Sequence, residues 1–223
     1  MSEGARRYDA FLFDMDGTII NSIPSAVRVW SEWAMRHGVD RDELFRVMHG
    51  VRAIETIRRF APHADADAEF DWLLQAEMDD VADVVAIPGA IDFLSRLPAE
   101  RWAIVTSAPL TLAERRLAAA GITPPALIVT ADDVSKGKPA PDCFLLAAQR
   151  LRFPADRCLV FEDAVAGIAA GEAAGADVMV VTATHAHPLA TDHPCFADYA
   201  ELTLSIAADG RLSVARTRTP VDI

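Results

Sequence analysis

Apolar residues in this chain follow two rhythms. Short, nearly unbroken runs recur at residues 8–14 (YDAFLFD), 102–106 (WAIVT), 126–130 (ALIVT), 158–162 (CLVFE) and 178–182 (VMVVT). Runs of this length that end at a polar residue predict strands buried on both faces, as in a parallel sheet. Between them, residues 110–120, 141–151 and 165–174 are rich in Ala and Leu, and Gly121 and Gly175 follow the first and last as helix-ending residues do. Alternating strand and helix predicts an α/β fold, a Rossmann-like doubly wound parallel sheet that binds ligands at the carboxyl ends of its strands.

Residues 20–87 break that alternation. They hold no strand-like run; apolar positions such as Val27, Trp30 and Ala34, then Leu44, Val47 and Met48, fall at helical spacing. Gly38, Gly50 and Pro62 cut the stretch into about four helices, with Trp30 and Trp33 as its core, and Ile87-Pro88-Gly89 ends it with a turn. The prediction is a small α-helical cap domain, 20–87, inserted into a core of 1–19 and 88–223. Entering just after the first strand, it would cover a site at the strands' carboxyl ends. Residues 202–216 alternate apolar and polar around Asp209-Gly210, which predicts a β-hairpin.

Charge narrows the choice of partner. With 33 acidic and 21 basic side chains the chain carries a formal −12, and it has no basic cluster to follow a phosphate backbone, so nucleic acid is not expected. A small anionic substrate would need a few placed cations or a bound metal against that field. The three cysteines, Cys143, Cys158 and Cys195, have no CxxC spacing and an odd count, which predicts reduced thiols. Residues 1–8 carry Glu3, Arg6 and Arg7 without an apolar stretch, and no apolar run approaches the ~18 residues of a membrane helix. A cytoplasmic protein without a membrane partner is expected, as a monomer or weak dimer.

Candidate chemistry sits where the strands end. Asp14-Met15-Asp16-Gly17-Thr18 places two carboxylates two residues apart beside a glycine that permits a tight turn and close approach to a ligand. Strand alternation would separate the two side chains; a turn beginning at Met15 brings both to one pocket, where they repel unless they hold a cation or share a proton. Asp-Gly alone is also an ordinary turn. Thr106-Ser107 offers hydroxyls at a strand-to-helix turn, suited to phosphate, although taken alone they read first as helix caps. Lys138 precedes Pro139 and a helix, and Glu162-Asp163 adds a second acidic pair at a strand end, costly to bury without a cation.

Taken together and in order, DMDGT at 14–18, VTS at 105–107, GKPAPD at 137–142 and FEDAVAGIAAG at 161–171 resemble the haloacid dehalogenase superfamily of phosphotransferases. The last two motifs and the helical insert are similar to its branch of sugar-phosphate phosphatases, glycerol-phosphate phosphatases and β-phosphoglucomutase. The resemblance implies a Mg²⁺-dependent phosphatase acting on a small phosphate monoester, a sugar or polyol phosphate, through an aspartyl phosphate. Asp14 would be the nucleophile and Asp16 the general acid and base. Mg²⁺ would be held by Asp14, the backbone carbonyl of Asp16, Asp163 and, through water, Glu162. Lys138, Thr106 and Ser107 would bind phosphoryl oxygens beside Gly17.

Dehalogenases of the superfamily lack the second aspartate, so Asp16 points to phosphoryl transfer. The phosphomutase alternative is weakened by Ala26, which stands where β-phosphoglucomutases carry a histidine. An inactive binding protein on the same scaffold would have lost Asp14 or Asp16. Ala164 stands where many relatives have serine, although sugar phosphatases share the alanine. His49-Gly50-Val51-Arg52 matches a specificity loop, which makes Arg52 a candidate to grip a substrate hydroxyl or a second phosphate, or else a solvated helix arginine. His185 and His187 lack the spacing of a zinc site.

Overall fold

The computed structural model describes residues 6–216; the outer ends of the expected core, 1–5 and 217–223, and most of the stretch 1–8 lie outside the described residues. In chain order the elements are β1 (Ala10–Phe13), β2 (Ile20–Asn21), α1 (Ile23–His37), α2 (Arg41–Val47), α3 (Ala53–Phe60), α4 (Ala66–Asp79), β3 (Val85–Ala86) and α5 (Ala90–Ser95). They continue with β4 (Trp102–Val105), α6 (Leu110–Ala119), β5 (Ile128–Val129), α7 (Asp142–Leu151), β6 (Cys158–Glu162), α8 (Val165–Ala173), β7 (Asp177–Val181), β8 (Cys195–Phe196), β9 (Leu202–Ile206) and β10 (Leu212–Arg216).

The six-stranded sheet runs β5-β4-β1-β6-β7-β8, with every neighbouring pair parallel. Strand alternation divides its side chains between two faces. Leu12, Ala103, Val105 and Val160 pack with Phe144 and Ala147 of α7 and Ile168 of α8. Phe11, Phe13, Ile104 and Phe161 pack on the other face with Phe93 of α5, Leu112 of α6 and Tyr199. Here Phe13 and Phe161 stack at 4.5 Å. Register then fixes the site. Phe13 pairs with Ile104 on one side and Phe161 on the other, so Asp14, Thr106 and Glu162 leave three adjacent strands at nearly one level.

Helices α1–α4 bury an apolar cluster of their own, centred on Trp30, Trp33, Leu44, Ile57 and Leu73. Gly38 ends α1 at φ 66°, a left-handed cap, and Asp40 and Asp65 accept backbone N–H groups at the starts of α2 and α4. One expectation for this stretch is corrected: it does contain strand. β2 and β3 pair antiparallel, Ile20 with Ala86 and Asn21 with Val85, where the chain enters and leaves the helical insertion. Two-residue strands carry no periodicity, and only the closeness of entry and exit creates them. The strand expected over 126–130 forms only at Ile128–Val129 on the sheet edge, while β9 and β10 form the hairpin expected around Asp209-Gly210. Cys143, Cys158 and Cys195 are free thiols. Among the described residues no helix is long and apolar enough to cross a membrane.

Candidate active site

Beyond β1 the Asp14 amide donates to the Phe161 carbonyl (2.9 Å), and the chain then turns so that the Met15 carbonyl accepts from the amides of Thr18, Ile19 and Ile20. This turn brings the side chains of Asp14 and Asp16 to the same cavity. Gly17 sits at φ +87°, and a Cβ there would fall 2.1 Å from Asp163 Oδ2. Only glycine lets the first loop pass so close to the carboxylate after β6.

Lys138 reaches this point from the loop before α7 and is 1% exposed. Its Nζ donates to Asp14 Oδ1 (2.5 Å), Glu162 Oε1 (2.8 Å) and the Val105 carbonyl (3.1 Å), which uses all three ammonium protons. Glu162 is also fully engaged: Oε2 accepts from the amides of Asp163 (2.8 Å) and Ala164 (2.7 Å) at the start of α8. Its buried position requires Gly167, where a Cβ would lie 1.5 Å from Oε1. Glu162 thus holds Lys138 and the turn into α8, an arrangement that leaves room only for the indirect, water-mediated contact with a metal that the sequence implies.

Asp14, Glu162 and Asp163 are all buried and offer carboxylate oxygens within 4.8 Å of one another. Burial pushes the Asp14 carboxyl up to about 8 even with Lys138 in contact. Asp163 is raised well above the usual carboxylate range, first by burial and then by the charges of Glu162 and Asp14; its recorded hydrogen bond comes from Thr18 Oγ1 at 3.3 Å. Three carboxylates facing one ammonium in a dry site can all ionise only with further positive charge beside them, and without it Asp14 and Asp163 hold protons more tightly. An all-oxygen donor set that needs such a charge fits a hard divalent cation.

The Asp16 side chain lies outside this carboxylate group. Its Oδ1 accepts from Ser22 Oγ (2.5 Å) and from Arg116 Nη1 (3.0 Å), while no donor among the described residues contacts Oδ2. Arg116 of α6 also places Nη2 3.1 Å from Glu77 Oε1 of α4. Asp14, Asp16, Glu77, Thr106 and Arg116 share the walls of a cavity of about 100 Å³ between the sheet and the helices above it. Trp30, expected only as core, reaches the cavity wall too.

Thr106 Oγ1 accepts from the Ala108 amide (3.1 Å), which leaves its proton free to donate. Ser107 lines the cavity, but its hydroxyl donates to the Gly50 carbonyl (2.8 Å), so it ties the sheet to the α2–α3 loop. Arg52 is not brought to the cavity. Its guanidinium pairs with Glu55 and donates to the carbonyls of Val134 (3.1 Å) and Ser135 (2.9 Å), which directs it outward along the seam. Gly50 passes close to Ala164: a Cβ on Gly50 would fall 2.8 Å from the Ala164 Cβ. The His185 Nε2 lies 2.9 Å from the Asp163 carbonyl, and burial beside His185 lowers His49 below its ordinary value.

Sequence reading missed Arg116, Glu77 and Ser22. Arg116 sits in a Glu-Arg-Arg run that reads as solvated surface, and Glu77 in an acidic stretch. The usable signal was helical phase: Leu112, Ala113, Arg116 and Leu117 are the buried positions of α6, which places Arg116 on the inward face.

Comparison with known proteins agrees with this geometry. Hexitol phosphatase A of Escherichia coli (strain K12) is 43% identical over 182 residues, spanning 79% of this chain and 84% of its own length. Glycerol-1-phosphate phosphohydrolase 2 of Saccharomyces cerevisiae is 35% identical over 191 residues, 80% of this chain and 76% of its own. Among solved structures, a hydrolase from Pseudomonas syringae superposes with a TM-score of 0.69 at 30% identity, covering 78% of this chain and 84% of that one. CbbY from Rhodobacter sphaeroides, in complex with phosphate, gives a TM-score of 0.73 at 25% identity, covering 87% and 96%. Residues 8–175 match the family described as haloacid dehalogenase-like hydrolase, and the chain belongs to that family.

Proposed function

We propose that this hydrolase cleaves the phosphate monoester of a small polyol or sugar, through an aspartyl phosphate on Asp14 and with Mg²⁺ as its cation. The observation that carries the reading is the convergence of Asp14, Lys138 and Asp163 at the carboxyl ends of neighbouring strands, with Lys138 Nζ 2.5 Å from Asp14 Oδ1. The substrate class rests on the named activities of the Escherichia coli and yeast relatives.

In the first step an Asp14 carboxylate oxygen bonds to phosphorus as the ester P–O bond breaks, and the departing alkoxide takes a proton from Asp16. Ser22 and Arg116 both donate to Asp16 Oδ1, so Oδ2 is the oxygen left to carry that proton. In the second step water attacks phosphorus and gives its proton back to Asp16, the P–O bond to Asp14 breaks, and phosphate leaves. Glu162 fixes Lys138 against Asp14, where its charge offsets that of the nucleophile and the incoming phosphoryl group, and Thr106 donates its free hydroxyl proton to a phosphoryl oxygen. Asp14, Asp163 and the Asp16 carbonyl would hold the cation, which supplies the positive charge that lets a carboxylate approach a phosphate dianion.

Residues 20–87 act as the cap domain on a core of 1–19 and 88–223, a division supported by the apolar cluster that α1–α4 bury among themselves, while Ile20, Val81, Val84 and Ile87 at the two crossings pack with the core. Ala26 lines the cavity without a proton-carrying group, which favours hydrolysis over a mutase. The same reading has a monomeric or weakly dimeric cytoplasmic enzyme with a small phosphate ester, not nucleic acid or membrane, as its partner. The test is phosphate release from hexitol, glycerol and sugar phosphates, with Mg²⁺ and with EDTA. Activity is expected to need the metal and to vanish in Asp14→Asn; phosphate release that survives that substitution overturns the assignment.

A further inference from the structure

Arg116 is 4% exposed, yet its hydrogen bonding is unfinished. Nη1 serves Asp16 at 3.0 Å, but Nε has no acceptor, and Nη2 lies 3.1 Å from Glu77 Oε1 without the alignment of a hydrogen bond. A buried guanidinium with idle N–H groups is costly. Both Arg116 and Glu77 line the cavity above Asp14, so the idle donors and an acceptor stand side by side in its wall, covered by a thin layer of protein, next to the space that the reading above gives to the ester's leaving group.

The chemistry of that pair selects its ligand. Arg116 is the one Lys or Arg among the described residues that line the cavity, and Asp14, Asp16 and Glu77 surround it. A second phosphate or a carboxylate would meet more negative than positive charge there. An alkyl group would leave Nε and Nη2 unmet. A hydroxyl both accepts from the guanidinium and donates to the Glu77 carboxylate, which satisfies both at once.

We propose that Arg116, oriented by Glu77, is a specificity-determining residue that reads a hydroxyl on the leaving group, and so selects polyol and sugar esters over alkyl esters. This rests on the phosphatase reading above. Arg116 is contributed by the core helix α6 and Glu77 by the overlying α4, so the hydroxyl is read only where the two elements meet.

The experiment compares kcat/KM for matched esters that differ only in hydroxyls: glycerol 1-phosphate with n-propyl phosphate, and a hexitol phosphate with n-hexyl phosphate. The wild-type enzyme is expected to favour the hydroxylated member of at least one pair by on the order of 10²-fold or more, as sites built to bond a substrate hydroxyl do. In Arg116→Met and Glu77→Gln that ratio is expected to fall at least ~10-fold. Damage passed on through Asp16 lowers both members of a pair alike, so a rate loss at constant ratio in Arg116→Met overturns the inference. If Arg116→Met lacks a cooperative melt, Glu77→Gln decides, and an unchanged ratio in it overturns the inference. A wild-type enzyme that hydrolyses both members equally overturns the inference and leaves the phosphatase reading standing. A wild-type enzyme that hydrolyses none of the esters overturns that reading, and the inference with it.

Discussion

Alanine in a helix is ordinarily more stable than glycine by about 1 kcal/mol, so Gly167→Ala in α8 tests whether the buried Glu162 arrangement is real. The new methyl would lie 1.5 Å from Glu162 Oε1, less than half an ordinary contact distance, so the carboxylate must move by roughly 2 Å. The end of a glutamate is flexible, and the cost comes from what it holds. Glu162 is wholly buried and gives up bonds to Lys138 Nζ (2.8 Å), the Asp163 amide (2.8 Å) and the Ala164 amide (2.7 Å). Hydrogen bonds to a charged group contribute ~1.5–3 kcal/mol each; with some of them re-formed and the helix gain set against them, the net loss is about 2–4 kcal/mol. Urea denaturation should show a lower midpoint at unchanged slope, and a thermal melt should fall by roughly 5–15 °C. Phosphate release should drop as well, because Lys138 loses one of its two carboxylate anchors. A variant as stable as the parent, with unimpaired activity, would refute the idea that Glu162 is pinned beneath α8.

Other substitutions probe separate parts of the argument. Tyr199→Phe removes a buried hydroxyl that has no partner and keeps the aromatic packing, so chemical denaturation should find it unchanged or more stable by up to ~1–2 kcal/mol; a clear loss would mean the hydroxyl is bonded. Lys138→Met leaves the buried carboxylates without their ammonium, and should lower kcat by at least ~10²-fold with a metal-free stability loss of about 3–5 kcal/mol, read by phosphate release and by a melt in EDTA. Burial pushes the Cys158 thiol up to about 12, whereas an unfolded thiol titrates near 8.5. The folded pKa is the higher one, so this contribution to stability is complete below about pH 8.5 and is lost as pH rises toward 12. Between those limits wild type should lose ~1.4 kcal/mol per pH unit more than Cys158→Ala, measured by urea denaturation at successive pH values; parallel profiles would contradict the burial argument.

How much of this was legible in the chain depends on the scale of the interaction. Strand runs ending at Asp14, Thr106 and Glu162 could be read because a parallel sheet buries both faces of a strand and aligns its ends. The turn that reunites Asp14 and Asp16 was legible from Gly17. Hydrogen-bond accounting was not. Nothing local shows that Glu162 spends both oxygens on Lys138 and two amides, that Ser107 turns to the Gly50 carbonyl, or that Arg52 is taken up by Glu55 and the carbonyls of Val134 and Ser135. Arg116 and Glu77 were invisible for a related reason: each is an ordinary helix residue until α4 lies on α6 and removes both from water.

The pairing of β2 with β3, reinforced by the Ile87 amide donating to the Ile19 carbonyl at 2.9 Å, makes the two crossings of the chain a single ribbon. Lengthening one crossing alone would shear that ribbon and slide Glu77 past Arg116. Exchange of the helical module between relatives should therefore treat 19–21 and 85–87 as one matched cassette, with both ends cut outside the ribbon.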